Sequence, residues 1–186
     1  MDLSEHELVV AQLREDFERT IAERAERFLL VRRKCIGPAH HFSHVIHEAI
    51  DLFRDGYFVS CVMATQALAE GIVRLVAERN LGTAASSTKK QELVATLTAS
   101  GVLSQSFADA FMRIQRSWRN DFHHMNPTIA NLDVYQIAEQ NIQDIRVMED
   151  EVFGFDFADG GAIIPKVPKY WDFTSEGDVK AFVNFR

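Results

Sequence analysis

The chain has 186 residues, of which 47% are hydrophobic and 25% charged, a composition that excludes a disordered or fibrous protein and fits one globular domain with an appendage. The net charge of −7 excludes a generic nucleic-acid coat, so a contact with RNA or DNA would require a local basic patch. Cys35 and Cys61 form no paired metal motif, and the acidic N-terminus has no apolar signal core. These features predict a cytoplasmic protein, and no apolar run is expected to cross a membrane.

The first part of the chain predicts three helices. Ser4 and Glu7 form a capping-box pattern that opens a helix within residues 4–34, whose apolar row repeats at about 3.6 residues. Gly37 and Pro38 interrupt the pattern, and a second amphipathic helix follows at about 40–54. From there to Asn80, apolar residues occupy most positions, which predicts a largely buried central helix.

The second part predicts three further helices. Thr88 and Gln91 resemble another capping box, opening a short helix that ends near Ala99. The next helix is expected to run unbroken over 104–126, and the last over 132–152. The core stripe expected on the helix over 104–126 is Phe107, Phe111, Ile114, Trp118, Phe122 and Met125.

After Gly154 the chain becomes richer in glycine, proline and aromatic residues, which predicts an extended arm that packs on the helices or on a partner chain, with a short hairpin as an option. The predicted fold class is therefore all-α: a mainly antiparallel helical bundle over residues 1–153, followed by a C-terminal arm over 154–186.

The polar side of the helix over 104–126 is the candidate functional face. At about 100° per residue, six side chains lie opposite the core stripe. They are Arg113, Arg116, Arg119, Asn120, His123 and His124. Asp121 falls nearer the apolar stripe. Arg119 and His124 are about 140° apart on an ideal wheel, so two copies of the helix across a two-fold axis are needed to bring them into one cleft.

Guanidinium and imidazole groups on one face suit RNA cleavage by the 2′-hydroxyl. An imidazole can take the proton of that hydroxyl or give one to the leaving 5′-oxygen, because imidazoles titrate near neutrality. A guanidinium can hold the non-bridging phosphate oxygens as charge develops on them. The products would be a 2′,3′-cyclic phosphate and a 5′-hydroxyl, and neither a metal nor a cofactor is required.

The segment "RNDFHH", from Arg119 to His124, resembles the Arg-x4–6-His motif of the HEPN domains (higher eukaryotes and prokaryotes nucleotide-binding). The helical context over about 40–150 is similar to the family core. The resemblance implies dimerisation through the motif helices and, in many members, a metal-independent endoribonuclease of toxin–antitoxin, antiviral defence, CRISPR or RNA-processing systems. It implies catalytic roles for Arg119 and His124, with Asn120 as a polar supporter; an antitoxin or another protein partner is also expected for a toxin. Other members are non-catalytic interaction or nucleotide-binding modules.

In the catalytic interpretation, His123 and Arg116 support the motif, and Arg113 is predicted to bind substrate. The simplest alternative is a solvated helix face without function. Glu70 in the central helix is either a buried partner for a motif arginine or a surface carboxylate.

A second histidine cluster offers an alternative to the catalytic interpretation. His40, His44 and His47 share one face of the second helix, with Asp51 in line, and could hold Zn²⁺ or a related metal. They could instead line a dimer cleft, or face solvent.

Overall fold

The computed structural model describes residues 4–32, 36–82, 88–116 and 118–183, with the backbone alone at Arg119. The described chain is mostly helical, as predicted. Its α-helices are α1 (Glu5–Val31), α2 (Ser43–Arg54), α3 (Phe58–Leu81), α4 (Lys90–Ala99), α5 (Gln105–Arg116), α6 (Arg119–His124) and α7 (Val134–Val152). Short 3-10 helices cover Pro127–Asn131 and Pro168–Tyr170.

Four short strands form two separate antiparallel pairs. The strand β1 (Ile36–Pro38) pairs with β4 (Ala181–Val183), so the end of the chain returns to the segment between α1 and α2. The strands β2 (Phe155–Phe157) and β3 (Ile163–Pro165) form a hairpin directly after α7.

The helix α3 lies at the centre of the fold and contacts α2, α4, α5, α6 and α7. Its fully buried positions recur on more than one side, as predicted for a central helix. They are Cys61, Val62, Thr65, Gln66, Leu68, Ala69, Ile72, Val73, Val76 and Ala77.

By length and composition alone, α3 could also cross a membrane, contrary to the expectation from sequence. Because 50% of its most apolar stretch is buried inside the fold, its apolar character is accounted for by packing against the other helices.

The helix α1 forms where it was predicted, but most of its apolar row is exposed. The capping box forms as predicted, with the Ser4 hydroxyl accepting from the Glu7 backbone. However, Leu13 is 64% exposed and Phe17 44%, and Val31 is the buried residue of the helix. The bonds that tie α1 to α2 come from its second half, where Arg24 donates to Asp55 at 2.7 Å.

The segment after α7 packs on the helices through aromatic side chains. Tyr170 and Trp171 are buried, and the Trp171 ring meets Phe155 edge-on at 6.0 Å between centroids. Asn80 at the end of α3 donates to the Tyr170 hydroxyl at 2.9 Å, and Arg79 pairs with Asp172 at 2.7 Å. The C-terminal segment therefore contributes to the core of its own chain.

The second predicted capping box is wrong. Lys89, rather than Thr88, is the N-cap of α4, and no side chain caps the helix. The Thr88 and Gln91 pattern therefore predicted the start of α4 to within two residues. The side-chain hydrogen bonds of a capping box, which the pattern also predicted, do not form.

Burial of Cys61 yields the first prediction. Loss of solvation raises the pKa of its thiol from 9.0 to about 12, so the reactive thiolate is scarce at neutral pH. In a Cys35→Ser variant, we expect Cys61 to resist iodoacetamide at pH 8 until the chain is unfolded. We also expect the free energy of unfolding to fall between pH 9 and 12, because the unfolded thiol ionises there while the folded thiol stays protonated.

Mass spectrometry of the alkylated protein, with and without denaturant, measures this protection. Fast labelling in native buffer would show that Cys61 is accessible and that α3 is not the centre of the core.

Candidate active site

The predicted helix over 104–126 is broken in two, and the break shapes the candidate site. The helix α5 ends at Arg116 and α6 begins at Arg119, with Trp118 between them in the left-handed conformation (φ 58°, ψ 31°). The prediction of one continuous helix was therefore wrong, and so was the burial of Trp118, which is 46% exposed. Ser117 and the Arg119 side chain lie outside the described residues.

The free-energy cost of the left-handed conformation at Trp118 is offset by the burial of Phe122. A bulky residue in this conformation costs roughly 1–2 kcal/mol. Phe122 is fully buried, and burying a phenylalanine stabilises a fold by about 1.5–3 kcal/mol. The backbone amide of Trp118 donates to the carbonyl of Arg116 at 2.7 Å, and its carbonyl accepts from Phe122 at 3.0 Å. The turn thus directs the six residues of α6 so that Phe122 enters the core.

Two features fix the end of α6: a second residue in the left-handed conformation, Met125, and the hydrogen-bonded carboxylate of Asp121. Met125 (φ 49°) ends the helix and is 67% exposed, so its expected place in the core stripe was also wrong. Asp121 accepts from the Thr128 hydroxyl at 2.6 Å and from Asn126 at 3.2 Å. These bonds, the one from Thr128 first, lower the pKa of Asp121.

Three of the predicted site residues on α6 have exposed side chains: Asn120, His123 and His124. Asn120 and His124 are four positions apart and lie on the same side of this short helix. Arg119 opens α6, one turn before His123. The structure therefore keeps the motif together on a surface helix. The meeting of Arg119 and His124 from two chains stays a prediction.

A polar cleft of about 340 Å³ lies beside α6. Its lining residues come from the end of α5, the start of α6 and the first turn of α4. It consists of Gln91, Gln115, Arg116, Trp118, Asn120 and Asp121. The break in the helix places Arg116 on α5 and Asn120 on α6, yet both residues line the same cleft.

Arg113, predicted to bind substrate, instead pairs with a buried carboxylate. Its guanidinium donates to Asp144 of α7 at 2.7 and 3.1 Å, and Asp144 is only 2% exposed. Gln140 donates to the same carboxylate at 3.2 Å. The bond with Asp144 raises the pKa of Arg113 above its ordinary value. Arg113 thereby joins α5 to α7 beneath the candidate site.

Glu70 lies on α3 close to the end of α5. It is half-buried, and its carboxylate accepts from the Gln115 side chain at 3.5 Å. Two roles were predicted for Glu70, a buried partner of a motif arginine and a surface carboxylate. The half-buried position agrees better with the first role, but the partner described here is Gln115.

The histidine cluster on α2 does not assemble as a metal site. Among the described residues, no three His, Cys, Asp or Glu side chains are placed to hold a metal ion. The ring of His40, which lies just before α2, contacts the carbonyl oxygen of Tyr170 at 2.8 Å through Nε2 and faces Asp172 at 3.6 Å through Nδ1. His47 stacks on Phe182 at 5.5 Å, whereas His44 is exposed. His40 and His47 therefore contact the C-terminal segment.

A larger cavity of about 760 Å³ lies between the end of α1, β1, α2, the end of α7 and the C-terminal segment. Its lining is mixed and includes Phe42, Phe153 and Phe155, together with Arg146 and Lys166. None of its lining residues belongs to the motif. We place the candidate site at α6 and the smaller cleft, because Asn120 and the exposed Arg116 line that cleft and the exposed His123 and His124 lie on the same short helix.

The sequence analysis missed Gln91, Gln115 and Trp118 as lining residues. The two glutamines carry no signal in the sequence. Trp118 was assigned to the core because a continuous helix was assumed, and the residues at the break include none of the Gly, Asn or Asp that usually adopt a left-handed conformation.

Comparison with known proteins gives no relative for this chain: no family model, no curated protein and no solved structure matches it.

The pairing of Arg113 with Asp144 yields a second prediction. In Arg113→Ala, the buried carboxylate loses its ionic partner, and we expect the free energy of unfolding to fall by about 1–3 kcal/mol. Asp144→Asn in the same background should recover part of the loss, because the neutral amide is less costly to bury. Chemical denaturation measures both changes.

The matched control is Arg146→Ala, which removes an exposed arginine 3.9 Å from Asp150 and should change stability by less than about 0.5 kcal/mol. Equal effects of the Arg113 and Arg146 substitutions would contradict a structural role for Arg113.

Proposed function

We propose that this protein is a metal-independent endoribonuclease of the HEPN type, which acts as a homodimer in the cytoplasm. The observation that supports the proposal most directly is that Asn120, His123 and His124 are all exposed on α6, and that Asn120 lines a polar cleft together with Arg116. Phe122 anchors this helix from below, so the polar residues are presented on a fixed element.

In the proposed reaction, His124 exchanges protons with the 2′-hydroxyl nucleophile or the leaving 5′-oxygen. The 2′-oxygen attacks the adjacent phosphorus, the bond to the 5′-oxygen breaks, and a 2′,3′-cyclic phosphate and a 5′-hydroxyl result. Arg119 binds the non-bridging oxygens, on which negative charge develops. Asn120, His123 and Arg116 support the phosphate and the imidazole. No cofactor takes part in this reaction.

A dimer is part of the proposal because Arg119 and His124 occupy different sides of a single α6 helix and cannot meet at one phosphate. Arg119 and His124 are five residues apart on a helix, so their directions differ by about 140°. A two-fold axis near α6 would place Arg119 of one chain beside His124 of the other.

A toxin or defence role would add an antitoxin or another protein partner to the RNA substrate. The net charge of −7 requires the basic residues to be concentrated in the cleft. RNA affinity should then decrease with added salt, because bound phosphates release counterions.

The third prediction is the decisive one for activity. Wild-type protein should cut single-stranded RNA in EDTA and leave cyclic phosphate ends, which mass spectrometry identifies. Replacing one 2′-hydroxyl by hydrogen should block cleavage at that position. His124→Ala should lower kcat/KM by about 10²- to 10⁴-fold, the usual contribution of a general acid or base.

His44→Ala is the matched control, because His44 is an exposed histidine outside α6 and its loss should leave the rate unchanged. If His123→Ala loses activity and His124→Ala does not, the assignment of the imidazole is wrong. If wild-type protein binds RNA but cuts none, the protein is a non-catalytic binding module.

A further inference from the structure

Trp118 combines two features that its place in the fold does not require. Its side chain is 46% exposed, although tryptophan is highly buried on average. Its backbone is left-handed, a conformation that is strained for a bulky residue. Strained residues held by their surroundings cluster at binding and catalytic sites, so Trp118 is a candidate for a role outside the core.

The surroundings of Trp118 form a site of suitable size for one nucleotide unit. The cleft of about 340 Å³ lies in the lower range of small-molecule sites. The indole provides an aromatic wall, and the carboxamides of Gln91 and Asn120 provide both donors and acceptors. The backbone bonds of Trp118 to Arg116 and Phe122 fix the backbone of Trp118 relative to α6.

The lining of the cleft carries one carboxylate and one guanidinium, which together suit a nucleotide that offers both a base and a phosphate. Asp121 lines the cleft and accepts hydrogen bonds only, so it repels a phosphate and attracts an N–H group. Arg116, in the same lining, is exposed and can bind the phosphate that adjoins this base. An aromatic side chain stacks on any base, because every base has a π-face.

We infer that this cleft binds an unpaired RNA base stacked on Trp118, next to the phosphate that α6 is proposed to cleave. The inference rests on the proposed function in taking RNA as the ligand. Purines should bind most tightly and uracil most weakly, because a purine has the larger stacking area and uracil lacks an exocyclic amine for Asp121. Trp118 is thus a substrate-binding residue that restricts cleavage to single strands.

Binding is measured separately from cleavage with 2′-O-methyl pentanucleotides, which lack the nucleophile. Fluorescence anisotropy of labelled oligomers gives the Kd. We expect Trp118→Ala and Trp118→Gly to weaken binding by about 5- to 150-fold, the range for losing one base–aromatic stack. Trp118→Phe should keep most of the affinity.

Two controls keep a folding defect apart from a binding defect. Glycine adopts the left-handed conformation freely, so Trp118→Gly should melt no lower than wild type while it binds RNA less well. Tyr57→Leu removes another exposed aromatic residue, at the start of α3, and should leave the Kd unchanged.

The outcomes separate this inference from the proposed activity. Trp118-dependent binding by a protein that cuts no RNA would support the stacking site and overturn the endoribonuclease. Cleavage with a Kd that does not depend on Trp118 would overturn the stacking site alone. A Trp118→Ala variant that changes oligomeric state at unchanged Kd would place the indole in a subunit interface and would also overturn it.

Discussion

The burial of Phe122 determines what the surface around the motif can do. Phe122 enters the core at the end of a left-handed turn, and this turn separates α6 from α5. Had the helix continued, Trp118 would have occupied the core and the polar residues of α5 and α6 would have formed one long row. Instead, α6 is a six-residue helix with an exposed tryptophan before it and an exposed methionine after it. The candidate site thus follows from the way one aromatic side chain is packed.

The base beneath α6 is rigid for identifiable reasons. The central helix α3 contacts α6 directly, and the pair of Arg113 with Asp144 joins α5 to α7. Asp121, Asn126 and Thr128 hold the end of α6 through their side chains. The proposed proton transfer needs its groups held in place, and these contacts fix the helix that carries Asn120, His123 and His124.

The sequence predicted those features of the fold that depend on local pattern. Helix α2, the buried α3 and α7 follow from apolar periodicity, and the Ser4–Glu7 box marks the start of α1. The break at Trp118 could not be predicted, because Trp118 and Phe122 both fit the apolar stripe of a continuous helix, and only tertiary packing leaves Phe122 buried and Trp118 exposed. The partner of Arg113 is 31 residues away in sequence and carries no local signal. Packing between distant elements also leaves no local signal for α1. Its periodicity indicated an apolar side, but not whether another element covers that side.

The central proposal is that each active site is assembled from the α6 helices of two chains, with Arg119 from one and His124 from the other. It is tested most directly by mixing Arg119→Ala and His124→Ala proteins, each inactive alone, under conditions that exchange subunits, and measuring RNA cleavage. The account predicts recovery of about a quarter of wild-type activity, because half of the dimers are mixed and each of these has one intact site of two. A mixture as inactive as its components, despite proven subunit exchange, would contradict it.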